Sequence, residues 1–453
     1  MKNYKILSYL LLSLIIFTIS CKDDSEIPAE SQLVNNWIKG QMSTYYFWNN
    51  QMPNVNLNSF ADPKDYFNRL LYKDDRFSWI TNDAQKLISE MKGNAISMGF
   101  SPSFGKISGT ENVFIVVQFV YENSPASEAG LKRGDIIIAI DNTVLDTENY
   151  YTLYSGSSYS VTLGKYTNGG IESTNQKVQL TARKIEMDPV RYYDVIEHNN
   201  NKIGYLVYSD FISGENNRWV NRLKDVLTEV KNSGATELVV DLRFNPGGEL
   251  KVAGFLASAI APSEVLSDQS VLVKFLYNDL LNQHFLDKEG PESGNLIYKI
   301  PASTINMNLS RVVFLTSKRS ASASELLLNG LEPYMDVFHI GEKTVGQCYG
   351  SLVLTDDNEP PLHQYAMMPL VFKYENAEGF TDFFDGLIPD YYIDDNVFDT
   401  KPFGDTSDPM LMAALNFLTG ELPGPARLKP IKMPFETLDD IYRLRKGNIL
   451  WVD

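Results

Sequence analysis

The sequence predicts a mixed α/β chain of three units, and three successive hydrophobic patterns predict it. From Leu33 to about Met91 apolar residues recur at helical spacing. Between about Ile96 and Met187 the period becomes strand-like, with β-branched and aromatic runs. After Pro189 apolar strands alternate with amphipathic helices, the pattern of a sheet covered by helices. At 453 residues the chain exceeds what one core normally supports, so several units are expected. We set a small helical N-terminal domain at 33–95, a mainly β domain at 96–188 and an α/β domain at 189–453.

The first twenty residues read as a secretory leader: Lys2 and Lys5 precede an apolar run from Ile6 to Ile19. That run is short for a stable membrane span. It ends Thr18-Ile19-Ser20-Cys21, which resembles a bacterial lipobox, and Lys22-Asp23-Asp24 resembles the tag that sends lipoproteins of Bacteroidetes-type bacteria to the outer surface. The expectation is a signal peptide at 1–20, a lipid on Cys21, a polar tether at 21–32 and residence at the outer membrane, with the membrane reached through the anchor alone. Cys348 is then the one remaining thiol; unable to form an internal disulfide, it is expected to be buried.

Composition removes several function classes. Apolar content of 43% with 12% aromatics fits a folded protein, and a net charge of −17 repels a phosphate backbone, so nucleic acid is not an expected partner. His198, His284, His339 and His363 are scattered and form no zinc-type cluster with two cysteines. No glycine-rich phosphate loop is present.

In the helical unit, Val34, Trp37, Ile38, Met42 and Tyr45-Tyr46 share one helix face, and Tyr66, Leu70 and Leu71 follow Pro63. Its Trp37, Trp48 and Trp79 could form a carbohydrate platform, but core packing is the plainer use of tryptophan here. In the β unit, Val113 to Val120, Asp135 to Ile140 and Val178 to Leu180 read as strands. In the α/β unit, strands at Ile203 to Tyr208, Glu237 to Leu242 and Arg311 to Leu315 alternate with helices near Asn217 to Asn232 and Leu250 to Ile260.

Two segments carry chemistry. Ser320-Ala321-Ser322-Ala323-Ser324-Glu325 stands between a strand and a helical run, where a serine side chain and the following N–H face the same space. Asp241-Leu242-Arg243-Phe244-Asn245-Pro246-Gly247-Gly248 ends a strand in a turn whose glycines let N–H groups approach a reacting carbonyl. Together they suggest acyl transfer. Either alone would fit a role in close packing.

Pro125 to Asp135 resembles the PDZ signature, with Ser97-Met98-Gly99-Phe100 where such domains receive a peptide carboxylate. This implies a polypeptide partner with a free C-terminus, bound through Gly99 and Phe100; a module that only positions its neighbour is the competing use. With Gly341-Glu342-Lys343-Thr344-Val345-Gly346 and Gly386-Leu387-Ile388-Pro389-Asp390, the ordered motifs from about Gly99 to Tyr392 resemble the carboxyl-terminal processing, or tail-specific, serine proteases. The resemblance implies a ClpP/crotonase-like α/β fold, cleavage near protein C-termini, and no metal or cofactor. It implies Ser322 as nucleophile, an oxyanion hole from Ala323 and Gly247 or Gly248, and structural roles for Ser320 and Ser324.

One position departs from the family. Its general-base lysine falls twenty-five residues after the nucleophile, where this chain has Gln347. A desolvated neutral lysine takes a serine proton; an amide does not at useful pH. The family's accessory glutamine and aspartate positions hold Ser351 and Pro333. Three readings follow: a peptidase with a substitute base, Lys343 or His198; a relative that binds polypeptide tails without cutting; and a surface glycan-binding lipoprotein. His339 sits in an apolar strand and fits a core histidine better than a base. Retention of the whole serine segment favours the enzyme. Substrate and oligomeric state are not legible.

Overall fold

Five parallel strands organise the α/β unit. The computed structural model describes residues 27–167, 170–421 and 435–438; the leader and Cys21 lie outside the described residues. Strands Asn201–Tyr208, Glu237–Asp241, Arg311–Thr316, Asp336–Gly341 and Tyr391–Tyr392 run parallel in that order. Strand Val190–His198 closes one edge as an antiparallel hairpin partner, through Asn199 and Asn200, both left-handed. Leu206, Tyr208, Leu238, Val240, Val312 and Phe314 face one core, packed by helices Arg218–Asn232, Leu250–Ile260 and Ala323–Leu331. Their neighbours Tyr205, Val207, Val239, Val313 and Leu315 face a second core, covered by helix Pro409–Leu418 and by Phe119 and Tyr121 of the β unit. A parallel sheet buried on both faces reads as continuous apolar runs, as these strands do.

A second, antiparallel sheet orders Ile297–Lys299, Val271–Tyr277, Leu370–Glu375 and Tyr349–Ser351. It brings residues 349–351 against 370–375, and so carries the loop holding Gln347 to its place.

The N-terminal helices differ from expectation. Ala29–Tyr45 and Pro63–Leu70 form as read, but Val34, Ile38, Met42, Tyr66 and Phe67 join the same core as the α/β unit. Strand Trp79–Thr81 pairs with Ala366–Met368 of that unit. Some sixty residues bury too little apolar surface to form a robust core alone, and sharing one solves the problem. Trp48 packs with Tyr72 and Tyr349 in that shared core, so it presents no sugar platform.

In the β unit, strands Phe100–Ile107, Val113–Val120, Ile136–Ile140, Ser158–Thr167 and Gly170–Thr181 pair antiparallel in sequence. Helix Tyr150–Tyr154 lies beside the first of them, with Phe104 5.4 and 5.3 Å from the rings of Tyr150 and Tyr154. One strand comes from far away: Phe435–Thr437, which the sequence assigns to the α/β domain, pairs with Phe100–Ile107. The domain boundary at the C-terminal end is thus not one of chain order.

Candidate active site

Strand Arg311–Thr316 ends at the C-terminal edge of the sheet, where crevices of open α/β sheets hold ligands. The serine segment is fastened there to the end of its neighbour strand. Ser320 Oγ donates to Leu242 O at 2.8 Å, Ser324 Oγ to Asn245 O at 3.0 Å, and Ala321 N to Asn245 O at 3.3 Å. Those flanking hydroxyls are spent on backbone carbonyls. Ser322 alone sits at φ +59°, ψ −113°, a conformation costing a non-glycine residue about 1–3 kcal/mol. Strain of this kind, directly before helix Ala323–Leu331, is the geometry of a nucleophile on a strand-to-helix turn. Ser322 is fully buried, so this state is closed to substrate.

Glu325, in the first turn of that helix, binds both halves of the site. Its Oε2 accepts from Ser322 N and Gln347 N, each at 2.8 Å, and its Oε1 from Gly346 N at 2.6 Å and Thr344 Oγ1 at 2.5 Å. Burial pushes this carboxyl above its usual range, and those four donors pull it back. Tyr374 OH lies 3.1 Å from Ser322 O and 3.0 Å from Gln347 O, donating its one proton to that pair. The backbone of residue 347 is therefore held beside that of Ser322, and residue 347 carries a buried amide whose Nε2 has no partner among the described residues.

At the glycine turn, Gly247 N donates to Asn245 Oδ1 at 2.9 Å, which removes it from an oxyanion hole. Gly248 follows it in the turn. It has φ +137°, and a Cβ there would meet Phe211 O at 2.1 Å, so no other residue fits. Arg243, at the start of this turn, is buried against Asp241 at 2.7 Å and Asp408 at 2.9 Å. Burial opposes its charge, and the two carboxylates outweigh that cost and keep it charged.

Neither proposed substitute base reaches Ser322. His198 pairs with Asn201, at the start of a strand whose far end, Tyr208, lies on the site edge; seven residues of strand separate them by roughly 23 Å. Its Nε2 faces Asn416 Oδ1 at 3.2 Å. Lys343 is exposed on the outside of its loop, against Gly386. Chain proximity misled for His198, because a parallel sheet puts the two ends of a strand on opposite edges; Lys343 follows the same edge as Ser322, but its side chain is exposed. His339 is a buried core residue: Thr316 Oγ1 bonds its Nε2, Asp390 Oδ2 accepts from its N–H at 2.9 Å, and burial lowers its pKa to about 4. Cys348 is buried, and burial pushes its thiol up to about 11.

Gly99 and Phe100 open strand Phe100–Ile107 of the β unit. Gly99 N donates to Ser97 Oγ at 3.0 Å, so that amide is already satisfied. A Cβ at Gly99 would meet Ser124 Cβ at 2.1 Å, which explains the glycine. The Phe100 ring is buried 5.9 Å from Tyr154.

Sequence reasoning missed three residues. Glu325 had a signal: Ser-x-x-Glu before an apolar run is a capping box, and capping a nucleophile's helix positions the nucleophile. Tyr374, on a distant strand, had none. Arg319, three residues before Ser322, reaches into the β unit, donating to Ser103 Oγ and to the Gln118 side-chain oxygen at 2.7 Å. That contact ties the turn carrying Ser322 to the β unit.

Comparison with known proteins places these features in a family. Residues 34–79 match the peptidase S41 N-terminal domain, 116–162 a PDZ domain, and 202–391 peptidase family S41. A carboxyl-terminal-processing protease of a Picosynechococcus species is 26% identical over 301 residues, covering 65% of this chain and 64% of its own length. Its Synechocystis namesake is 25% identical over 304 residues, covering 66% and 63%. The chain thus spans just under two thirds of these relatives. A crystal structure of a Bacteroides fragilis protein assigned to the S41 proteases superposes with a TM-score of 0.70 at 25% identity, covering 85% of this chain and 97% of that one.

Proposed function

Because the chain belongs to peptidase family S41, we propose that it is a serine-type peptidase of the C-terminal-processing kind. It hydrolyses exported polypeptides near their C-termini through an acyl-enzyme on Ser322, and does so slowly, because Gln347 stands where the base belongs. The observation that carries this reading is the strained Ser322 at the head of helix Ala323–Leu331, held beside residue 347 by Glu325. Attack by Ser322 Oγ on a peptide carbonyl would place the developing oxyanion on the Ala323 and Gly248 N–H groups. Glu325 fixes the serine backbone while the charge forms.

The buried, unpartnered Gln347 amide nitrogen favours a second reading, a tail-binding relative with no turnover. The leader and Cys21 support export and lipid anchoring at the outer membrane, which palmitate-analogue labelling lost in Cys21→Ala would establish. The two readings separate in one experiment. Purified protein is incubated for hours with an unfolded polypeptide and the products are mapped by mass spectrometry. Slow cleavage near the C-terminus, absent in Ser322→Ala, is the expected result. Cleavage undiminished in Ser322→Ala would overturn the assignment of the nucleophile, and none in wild type would leave the binding reading.

A further inference from the structure

The peptide-docking edge of the β unit is occupied by the chain itself. Residues Phe435–Thr437 add as a strand to Phe100–Ile107, with Phe435 opposite Ile107, Glu436 opposite Lys106 and Thr437 opposite Gly105. Leu438 N continues the ladder, donating to Phe104 O at 3.1 Å. The pairing is antiparallel, so successive residues advance from Ile107 towards Phe100 and the Gly99 turn. A peptide docking by strand addition with its C-terminus at that turn would run the same way.

The side chains divide by strand alternation. Leu438 packs against the β-unit core that holds Phe100, Phe104 and Tyr150. Glu436 lies on the same face and pairs with Lys106 at 3.4 Å. Phe435 points the other way, 5.7 Å from Phe114 and 4.9 Å from Phe398. A cavity of about 390 Å³ lies beside Ser97, Met98, Tyr151 and Tyr154.

We propose that this groove selects extended segments of the pattern aromatic, acidic, polar, aliphatic, and that Phe435-Glu436-Thr437-Leu438 is its resident ligand in cis, which an incoming polypeptide tail must displace. The selection follows from the walls: an apolar slot for the aliphatic residue, the Lys106 ammonium for the acid, and the Phe114–Phe398 corner for the aromatic. The inference rests on the reading of the chain as a protein that handles polypeptide tails. A segment tethered to its own domain competes at an effective concentration of about 1 mM, so weak binders are excluded and matched tails are not.

The test uses full-length protein carrying Ser322→Ala, so that cleavage does not enter. A fluorescent peptide spanning this chain's residues 433–440 is titrated and followed by anisotropy. Leu438→Asp and Phe435→Ala, two independent ways to loosen the resident segment, should each raise affinity for the peptide by about 10-fold or more over the parent. A peptide with its glutamate changed to lysine should bind these variants several-fold more weakly than the parent peptide. Equal affinity for parent and both variants, or no binding to any, would overturn the proposal. Because Ser322-dependent cleavage is read separately, its failure would leave this result intact, and failure here would leave the cleavage result intact.

Discussion

The turn carrying Ser322 and the loop carrying Gln347 are held by one carboxylate, yet in the proposed reading only the first keeps the chemistry of a peptidase. Glu325 and Tyr374 fix residue 347 through its backbone N and O; none of these bonds uses its side chain. At Ser322 the same two residues again grip backbone N and O. None of the Glu325 and Tyr374 bonds depends on which side chain stands at 347. Construction of the site and supply of its base are separable properties of this fold. A lysine can be lost from such a site without loosening the nucleophile, and can be restored without removing a hydrogen bond of the framework.

If one carboxylate holds both halves, removing its charge should disturb both. Glu325→Gln leaves an NH2 group facing N–H donors, and buried donors stranded in this way cost about 1–3 kcal/mol each. We expect a loss of about 4 kcal/mol in urea denaturation, with Ser322-dependent cleavage abolished. A variant as stable as wild type would break the claim that Glu325 clamps the two segments.

Gly248→Ala should strike the nucleophile half alone. The new Cβ would press on Phe211 O and move the N–H that faces the oxyanion. Loss of one such donor costs about 10²–10³ in kcat, some 3 kcal/mol of transition-state stabilisation, with KM little changed. Steady-state kinetics would check this, and a change confined to KM would contradict it.

A control outside both halves is His339. Its folded pKa, about 4, lies below the unfolded value of 6.5, so its contribution is fully present above pH 6.5. As pH falls towards 4 the unfolded chain takes up the proton first, and stability is lost. Between about pH 7.5 and pH 5 the wild type should lose about 2 kcal/mol that His339→Gln does not. Equal losses in the two proteins would show that His339 is not held neutral.

How much of this was legible depended on chain distance. The serine segment, the Pro-Gly-Gly turn and the strands announced themselves, because each is a local pattern with a local physical cause. The departure at Gln347 was legible for the same reason: it is one residue at a fixed spacing from Ser322. Helices Ala29–Tyr45 and Pro63–Leu70 were visible as helices, but not their shared core, since periodicity shows that a face is buried and not against what. Strand Phe435–Thr437 was missed as a partner of Phe100–Ile107, from which it is separated by more than three hundred residues. His198 was misjudged because closeness to the start of a strand says nothing of its far end.

The most direct test is Gln347→Lys. Burial would hold the new amine partly neutral beside Ser322, as a general base requires. Cleavage of an unfolded polypeptide should rise by about 10²–10⁴ over wild type, and Ser322→Ala added to it should erase the gain. A Gln347→Lys protein that folds with unchanged thermal stability and cleaves no faster than wild type would contradict the claim that only the base is missing.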